Sequence, residues 1–191
     1  RHQIDNKLNV SLGEGAMDLE AGNGISTGAS SVSKSEKMAP ADEWTTAMLA
    51  HASIFLTVIF SAAGGIGALI GPVVALAIYF GYREKSRFVA FHALQSCVYQ
   101  AVGLLLYLGF VAVGGGAIAL AWTISGLLAA LLIGLILMPG ALLLTLVVVL
   151  LMGGLPLVWL GYGLYGAYQV YQGRDFRYRA IGEWVAREVR F

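Results

Sequence analysis

The chain has 191 residues, of which 58% are hydrophobic and only 12% are charged, and its formal net charge is +1. Soluble domains carry about 25% charged residues, so the composition excludes an ordinary soluble globular domain. A net charge this close to zero points to no class of charged partner.

The first segment, residues 1–43, is polar and rich in Gly, Ser, Ala and Asn, with no apolar periodicity. Such a segment cannot bury enough surface to offset the entropy of ordering it, so we predict that it is disordered by itself. Within an assembly it would be a candidate contact with a partner. We expect no signal peptide, because the first apolar stretch begins late and is long. The true N-terminus stays open, since Met38 is another conceivable start.

Two long blocks without any Asp, Glu, Lys or Arg follow, residues 44–82 and residues 88–173. The helices and strands of a soluble core each turn one face to water, so such a core has no reason to avoid charge over these lengths. A charged side chain at the centre of a bilayer costs at least ~2.5 kcal/mol. The sequence therefore predicts an all-α, polytopic integral membrane helix bundle over residues 44–173, followed by a basic, aromatic tail over residues 174–191.

The number of helices depends on where the blocks break. A membrane-spanning helix needs about 20 apolar residues, and the first block divides at residues 63–65 into two such helices. In the second block we expect breaks at residues 114–116, 139–140 and 153–156, which are rich in glycine and proline. The short run between the last two breaks crosses by itself in a six-helix arrangement. It joins the last run as one kinked helix in a five-helix arrangement.

The basic residues favour six helices. Lys and Arg in short connections mark the cytoplasmic side, and all basic segments share one side only if an even number of crossings separates each pair. This places the basic loop and both termini in the bacterial cytoplasm. Lipid phosphate and topology explain these residues better than nucleic acid, because apolar helices flank them. The residues are Arg83, Lys85 and Arg87 in the loop, and Arg174, Arg177 and Arg179 in the tail.

Aromatic residues near the helix ends are expected to anchor the bundle at the membrane–water interface. The candidate anchors are Trp44, Tyr162, Tyr165, Tyr168, Tyr171 and Trp184. In the tail, Ile181, Trp184, Val185 and Val189 share one helical face. This pattern predicts a short amphipathic helix that lies on the lipid headgroups.

His51 and His92 are the histidines of the apolar blocks, each close to the cytoplasmic end of its predicted helix. One interpretation is a ligand pair, or an axial ligand to a haem or a chlorophyll-type pigment. The interpretation we favour is interhelical hydrogen bonding in a layer with Gln95 and Gln100. The blocks contain no carboxylate and one cysteine, Cys97, so we expect neither an enzyme nor a structural metal site.

Several short runs resemble the bacterial DUF4870 family, whose small membrane proteins are similar to the Tic20 component of chloroplast protein import. The runs are Trp44 with residues 47–53, residues 70–72, residues 83–95 and, at the end of the last helix, residues 168–174. The resemblance covers about 44–100 and 157–180. It implies a four-helix layout in which residues 114–152 are an inserted helical hairpin, and it implies no settled activity.

Three hypotheses about function follow. The first is a non-enzymatic structural or accessory subunit of a larger membrane complex, respiratory or photosynthetic, with lipid and other membrane proteins as its partners. The second, which rests on the resemblance, is a Tic20-like translocation or channel-like component. The third is binding of haem or a chlorophyll-type pigment through His51 or His92.

Overall fold

The computed structural model describes residues 39–62 and 64–188, with only the backbone of Glu188. Most of the predicted N-terminal tail, and its proposed contact with a partner, lie outside the described residues, as does Val189. The helices within them are α1 (Ala41–Ala52), α2 (Ile54–Ser61), a 3-10 helix (Gly65–Leu69), α3 (Ile70–Tyr82), α4 (Arg87–Ala129), α5 (Ile133–Tyr171) and α6 (Ile181–Glu188). This part of the chain contains no strand.

Four helical segments of the described chain are long and apolar enough to cross a membrane. They are Ala41–Ser61, Gly65–Tyr82, Arg87–Ala129 and Ile133–Tyr171. The first combines α1 and α2, and the second combines the 3-10 helix and α3. The predicted membrane helix bundle is confirmed at this level, as is the division of the first apolar block into two segments.

The predicted breaks in the second block were wrong, and the count of six helices is not confirmed. Helix α4 continues through residues 114–116, and α5 continues through residues 139–140 and 153–156. The one turn lies at residues 130–132, where Leu132 adopts a φ of 62°. A helical glycine costs only about 1 kcal/mol, whereas an open backbone hydrogen bond in lipid costs more. Glycine runs in an apolar segment therefore need not end a helix.

Pro156 is accommodated inside α5 by a side chain from α4. Because proline has no N–H, the carbonyl of Met152, four residues earlier, loses its helical donor. The Tyr107 hydroxyl donates a hydrogen bond to that carbonyl at 3.0 Å. The hydroxyl thus replaces the missing backbone donor and ties α4 to α5.

We expect Tyr107→Phe to lower the free energy of unfolding by about 1 kcal/mol, since the Met152 carbonyl is then left unpaired in an apolar setting. In a Pro156→Ala background the alanine N–H can bond Met152, so the same substitution should cost close to nothing. Unfolding of the four proteins in detergent micelles measures both values. An equal cost of Tyr107→Phe in the two backgrounds would contradict this role.

The pattern of burial is the reverse of that in a water-soluble core. The buried residues are mainly small or polar, such as Ala47, Ala50 and Gln100. Large apolar side chains point outward, and Ile66 and Ile136 are 86% and 79% exposed. Water would penalise such a surface, whereas hydrocarbon solvates it. Close packing of small residues inside and apolar bulk outside is the arrangement that lipid favours.

Three parts of the chain meet at one end of the bundle, which we call the basic end. These parts are the start of α1, the loop at residues 83–86 with the start of α4, and the tail at residues 174–178. The Ser86 hydroxyl donates to the Glu43 carboxylate at 2.6 Å and accepts from the Val89 N–H at 3.3 Å, which caps α4. The rings of Trp44 and Phe88 pack 4.3 Å apart.

The amphipathic helix predicted in the tail is present as α6, but one of its faces packs on the protein. Val185 is fully buried, while the neighbouring Trp184, at the edge of the same face, is 48% exposed. Gly182 approaches the Gln95 side chain of α4 so closely that an added Cβ would lie 3.3 Å from its oxygen. Helix α6 is thus docked against the basic end through this face, and its position on the lipid headgroups stays a prediction.

Candidate functional site: a buried polar network at the basic end

Two histidines from different helices meet inside the bundle. His51 Nε2 of α1 lies 3.1 Å from His92 Nδ1 of α4. Both side chains are completely buried. Their rings contact each other edge to face at a centroid distance of 5.4 Å. The pair therefore joins α1 to α4 through a single hydrogen bond.

The tail after α5 extends this pair in both directions. The Tyr178 hydroxyl lies 3.1 Å from His51 Nδ1. At the other end, Asp175 Oδ1 lies 3.4 Å from His92 Nε2, which is long for a hydrogen bond but suits an ion-pair contact. Arg177 in turn holds the other Asp175 oxygen at 2.8 Å. The result is a continuous chain of polar groups from the buried phenol to the half-exposed carboxylate.

Gln95 determines which atoms carry the protons. Its amide donates to the Phe176 carbonyl at 2.8 Å and accepts from the Tyr178 N–H at 3.4 Å, so its orientation is fixed. The second amide N–H then faces His92 Nδ1 at 3.0 Å. That nitrogen must be an acceptor, which assigns the His92 proton to Nε2.

With both imidazoles neutral, one direction of donation fits the contacts, although His92 Nδ1 then faces two donors and His92 Nε2 has no hydrogen-bond partner. The Tyr178 hydroxyl donates to His51, and His51 Nε2 donates to His92. His92 Nε2 then points its proton at Asp175. The phenol is suited to the first role, because burial raises the pKa of Tyr178 well above its ordinary value and keeps it protonated.

The carboxylate at the exposed end of the chain is stabilised in its charged form. Contact with His92, and then Arg177, lowers the pKa of Asp175 from 3.8 to about 2, although burial acts in the opposite direction. A lowered folded-state pKa stabilises the fold above pH 3.8, and the contribution is lost as the pH falls through about 2. Because Asp175 is 46% exposed, solvent screening makes this contribution small.

A second polar layer lies deeper in the bundle and is centred on Gln100. Its carbonyl oxygen accepts from the Thr57 hydroxyl at 2.8 Å. Its amide donates to the hydroxyls of Ser53 at 2.9 Å and Ser96 at 3.1 Å. All four side chains are buried. Gly71 of α3 closes the layer, since a Cβ there would collide with Thr57, Gln100 and the Ser53 carbonyl.

The residues singled out from the sequence are thus distributed over two regions. His51, His92 and Gln95 lie in the network at the basic end, and Gln100 lies in the deeper layer. The basic residues and aromatic anchors lie around them on the surface. Arg83 pairs with Glu84 at 3.3 Å, and Arg174 donates to Gln169 at 3.1 Å. The exposed side chains of this set are Arg83, Lys85, Arg87, Arg174, Arg177, Arg179, Tyr162, Tyr165, Tyr168, Tyr171 and Trp184.

The sequence did not indicate four members of these layers, namely Asp175, Tyr178, Thr57 and Ser96. Asp175 lies outside the apolar blocks, in which no carboxylate occurs. It is the first acidic residue after the last helix, two positions beyond Gly173, and that position is the signal that could have identified it. Tyr178 looked like one more interfacial aromatic residue.

The network has the chemistry of a joint between helices rather than of a ligand site. Three of the four ring nitrogens of His51 and His92 are hydrogen-bonded to protein atoms, and the fourth, His92 Nε2, faces Asp175 at 3.4 Å. Within the described ranges, no three His, Cys, Asp or Glu side chains lie close enough to hold a metal ion. A groove of about 560 Å³ borders the deeper layer at Thr57 and is lined mainly by apolar side chains such as Leu105 and Pro156.

Comparison with known proteins identifies a family. No curated protein and no solved structure matches the chain. The model of the magnetosome magnetite crystal formation protein family, MamF/MmsF, matches residues 42–185.

This match corrects the resemblance described above. The assignment to the DUF4870 and Tic20-like families was wrong, because the family that matches is a different one. The translocation hypothesis, which rested on that assignment, loses its basis. The match also extends across residues 114–152, the region that the resemblance treated as an insertion. Since it covers the described bundle from α1 into α6, the chain belongs to the magnetosome magnetite crystal formation protein family.

Proposed function

We propose that this integral membrane protein is a non-enzymatic structural component of the magnetosome membrane, and that it acts in magnetite crystal formation together with other membrane proteins. The family match carries the proposal, since this is a family of structural magnetosome membrane proteins and not a known enzyme family. The buried network supports a structural role, because its hydrogen bonds join α1 and α4 to each other and to the tail. A magnetosome complex thus replaces the respiratory or photosynthetic complex as the expected assembly.

Removal of the gene from the magnetosome-forming bacterium that carries it tests the role. We expect crystals of altered size or number in electron micrographs, and recovery when the wild-type gene is returned. A variant that cannot pack, Gly71→Ala, should fail to restore the crystals, whereas Gly81→Ala in the same helix should restore them. Crystals identical to those of the parent strain after deletion would refute the proposal.

The surface of the bundle supports lipid and membrane-protein partners. Helices α4 and α5 carry most of the exposed large apolar side chains, such as Leu105, Val113 and Leu150. The basic residues of the loop and tail surround the basic end, where lipid phosphates would attract them. We therefore propose that the basic end faces the cytoplasm, in keeping with the bias of Lys and Arg toward that side.

The lengths of α4 and α5 bear on how they cross the membrane. At 43 and 39 residues they extend over about 64 and 58 Å, roughly twice the ~30 Å of a hydrocarbon core. Gly115, Gly116, Gly153 and Gly154 have open space around them, so no contact opposes a bend there. We propose that in a bilayer both helices turn back at these glycines, at the far membrane surface where water can satisfy the freed backbone groups, so that the hairpin adds two crossings and the total is six.

Thiol labelling of single cysteines in a Cys97→Ala background distinguishes the arrangements. Lys85→Cys marks the basic end, and Ile66→Cys marks the opposite end of the bundle. If the hairpin folds back, Leu131→Cys at its turn reacts with impermeant reagent from the same side as Lys85→Cys. Reaction from the side of Ile66→Cys would rule out the sixth crossing. Reaction of Lys85→Cys only from outside the cytoplasm would overturn the orientation.

A further inference from the structure

The tail at residues 174–178 is attached to the bundle by contacts with the two histidines and with Gln95, which is hydrogen-bonded to His92. Tyr178 reaches His51 through its hydroxyl, and Gln95 holds the tail backbone at Phe176 and Tyr178. Asp175 contacts His92 from outside. The two fully buried imidazoles therefore lie between the bundle and the segment that carries α6, and a change in either ring acts directly on the attachment.

The present hydrogen bonds require His92 Nδ1 to be an acceptor. A proton added there would face the Gln95 amide N–H at 3.0 Å, donor against donor. Gln95 could relieve this contact only by turning, which breaks its bonds to the Phe176 carbonyl and the Tyr178 N–H. Its amide cannot simply flip, because both tail bonds depend on its orientation.

The extra proton also affects the second attachment. For His51 Nε2 to accept from His92, its own proton must move to Nδ1, where it faces the Tyr178 hydroxyl at 3.1 Å. The hydroxyl must then accept instead of donate, and within the described residues its hydrogen has no acceptor other than His51. A buried donor without an acceptor is costly. Both tail attachments thus weaken when one proton is added.

A proton has a short route to the pair. Asp175 is half exposed and lies 3.4 Å from His92 Nε2. Groups from three elements surround the two imidazoles. Gln95 belongs to α4, Tyr162 and Gly166 belong to α5, and the tail supplies Tyr178, Asp175 and Arg177. Asp175 attracts a charged His92, and Arg177 repels it. Because both groups are about half exposed, solvent weakens these two opposing effects relative to the buried bonds that would be broken.

We propose that the His51–His92 pair is a proton-sensitive latch: uptake of one proton through Asp175 releases the segment at residues 174–188, including α6, from the basic end. The latch opens on acidification and closes as the pH rises. It is a property of the fold and does not depend on the role in crystal formation.

Reactivity of buried and exposed thiols on α6 tests the latch in the full-length protein in detergent micelles. In a Cys97→Ala background, Val185→Cys reports release because Val185 is fully buried, and exposed Ala186→Cys corrects for the pH dependence of the thiol itself. We expect the ratio of the two rates to rise on acidification from pH 8 to pH 5, by up to about tenfold per pH unit for one proton. A ratio that stays constant would overturn the proposal.

Replacement of both histidines is the second test of the latch. In a His51→Gln, His92→Gln variant we expect a ratio independent of pH, and an unchanged rise would assign the effect to other groups and refute the latch. If that variant releases α6 even at pH 8, two measurements on the wild-type protein replace it. They are the NMR titration of both imidazoles and the hydrogen-exchange rate of the Tyr178 amide. Exchange that accelerates together with imidazole protonation supports the latch, and exchange that accelerates while both rings remain neutral overturns it.

Discussion

The substitution Gly71→Ala should destabilise the bundle by about 3 kcal/mol, at the upper end of the usual cost of overpacking. Gly71 lies where α3 meets the deeper polar layer. A Cβ at this position would collide with the side-chain oxygens of Thr57 and Gln100 and with the Ser53 carbonyl. The carbonyl belongs to the backbone of the first span, so α3 must move away as a unit. That movement also separates the hydrogen-bonded side chains beneath it.

Gly81→Ala is the matched control, because it lies in the same helix with nothing within 4 Å of the added methyl group. Alanine favours helix over glycine by about 1 kcal/mol, so this variant should be equal to the wild type or slightly more stable. Unfolding in detergent micelles compares the two proteins. Equal stability of both variants would show that α3 is not packed against the polar layer as described.

Replacement of one histidine of the pair should destabilise the fold more than a simple change of side-chain size. His51→Leu leaves the buried Tyr178 hydroxyl without its acceptor, and His92→Leu leaves a Gln95 N–H and His51 Nε2 unpaired. An orphaned buried polar group costs about 1–3 kcal/mol. The double replacement removes both members of the central bond, so its cost should fall short of the sum of the single costs by about 1 kcal/mol.

A double-mutant cycle measured by unfolding in detergent gives this interaction energy. Tyr168→Phe is a suitable control, since Tyr168 is exposed and its hydroxyl accepts a hydrogen bond from the exposed Gln172 side chain. That variant should change stability little. Strict additivity of the two histidine replacements would mean that His51 and His92 do not interact, which would contradict the geometry of the network.

The membrane character of the chain could be predicted from the sequence because it depends on composition. Residues 44–82 and 88–173 contain no charged residue, and that fact survives any error in placing helix ends. The helix count could not be predicted in the same way. Residues 114–116 and Pro139 are typical of breaks in soluble proteins, but in an apolar segment the backbone has no other donor or acceptor available. Tyr107 shows how tertiary contacts make Pro156 tolerable.

The sequence predicted the members of the candidate site that lie on helices α1 and α4, but not those that lie in the tail. The similar depths of His51 and His92 follow from parity of the crossings, whereas the separate, deeper layer of Gln100 does not. The tail could not be placed, because residues 174–180 have no regular period and their path depends on contacts with Gln95 and His92. Asp175 and Tyr178 therefore entered the network from a segment whose residues looked like surface anchors.

The mistaken family resemblance has a related cause. The runs that suggested it, such as residues 83–95, lie at helix ends, where capping by Ser86 and the basic loop satisfy requirements common to many small membrane proteins. Short runs of this kind are similar for physical reasons. The match over residues 42–185 uses the whole bundle instead.

Extraction of magnetically isolated magnetosomes tests most directly whether the chain is an integral protein of the magnetosome membrane. The account predicts that the full-length protein is enriched there relative to the rest of the cell envelope, stays with the membrane in alkaline carbonate and dissolves only in detergent. Recovery in the carbonate supernatant, or enrichment in another membrane with none on the magnetosomes, would contradict it.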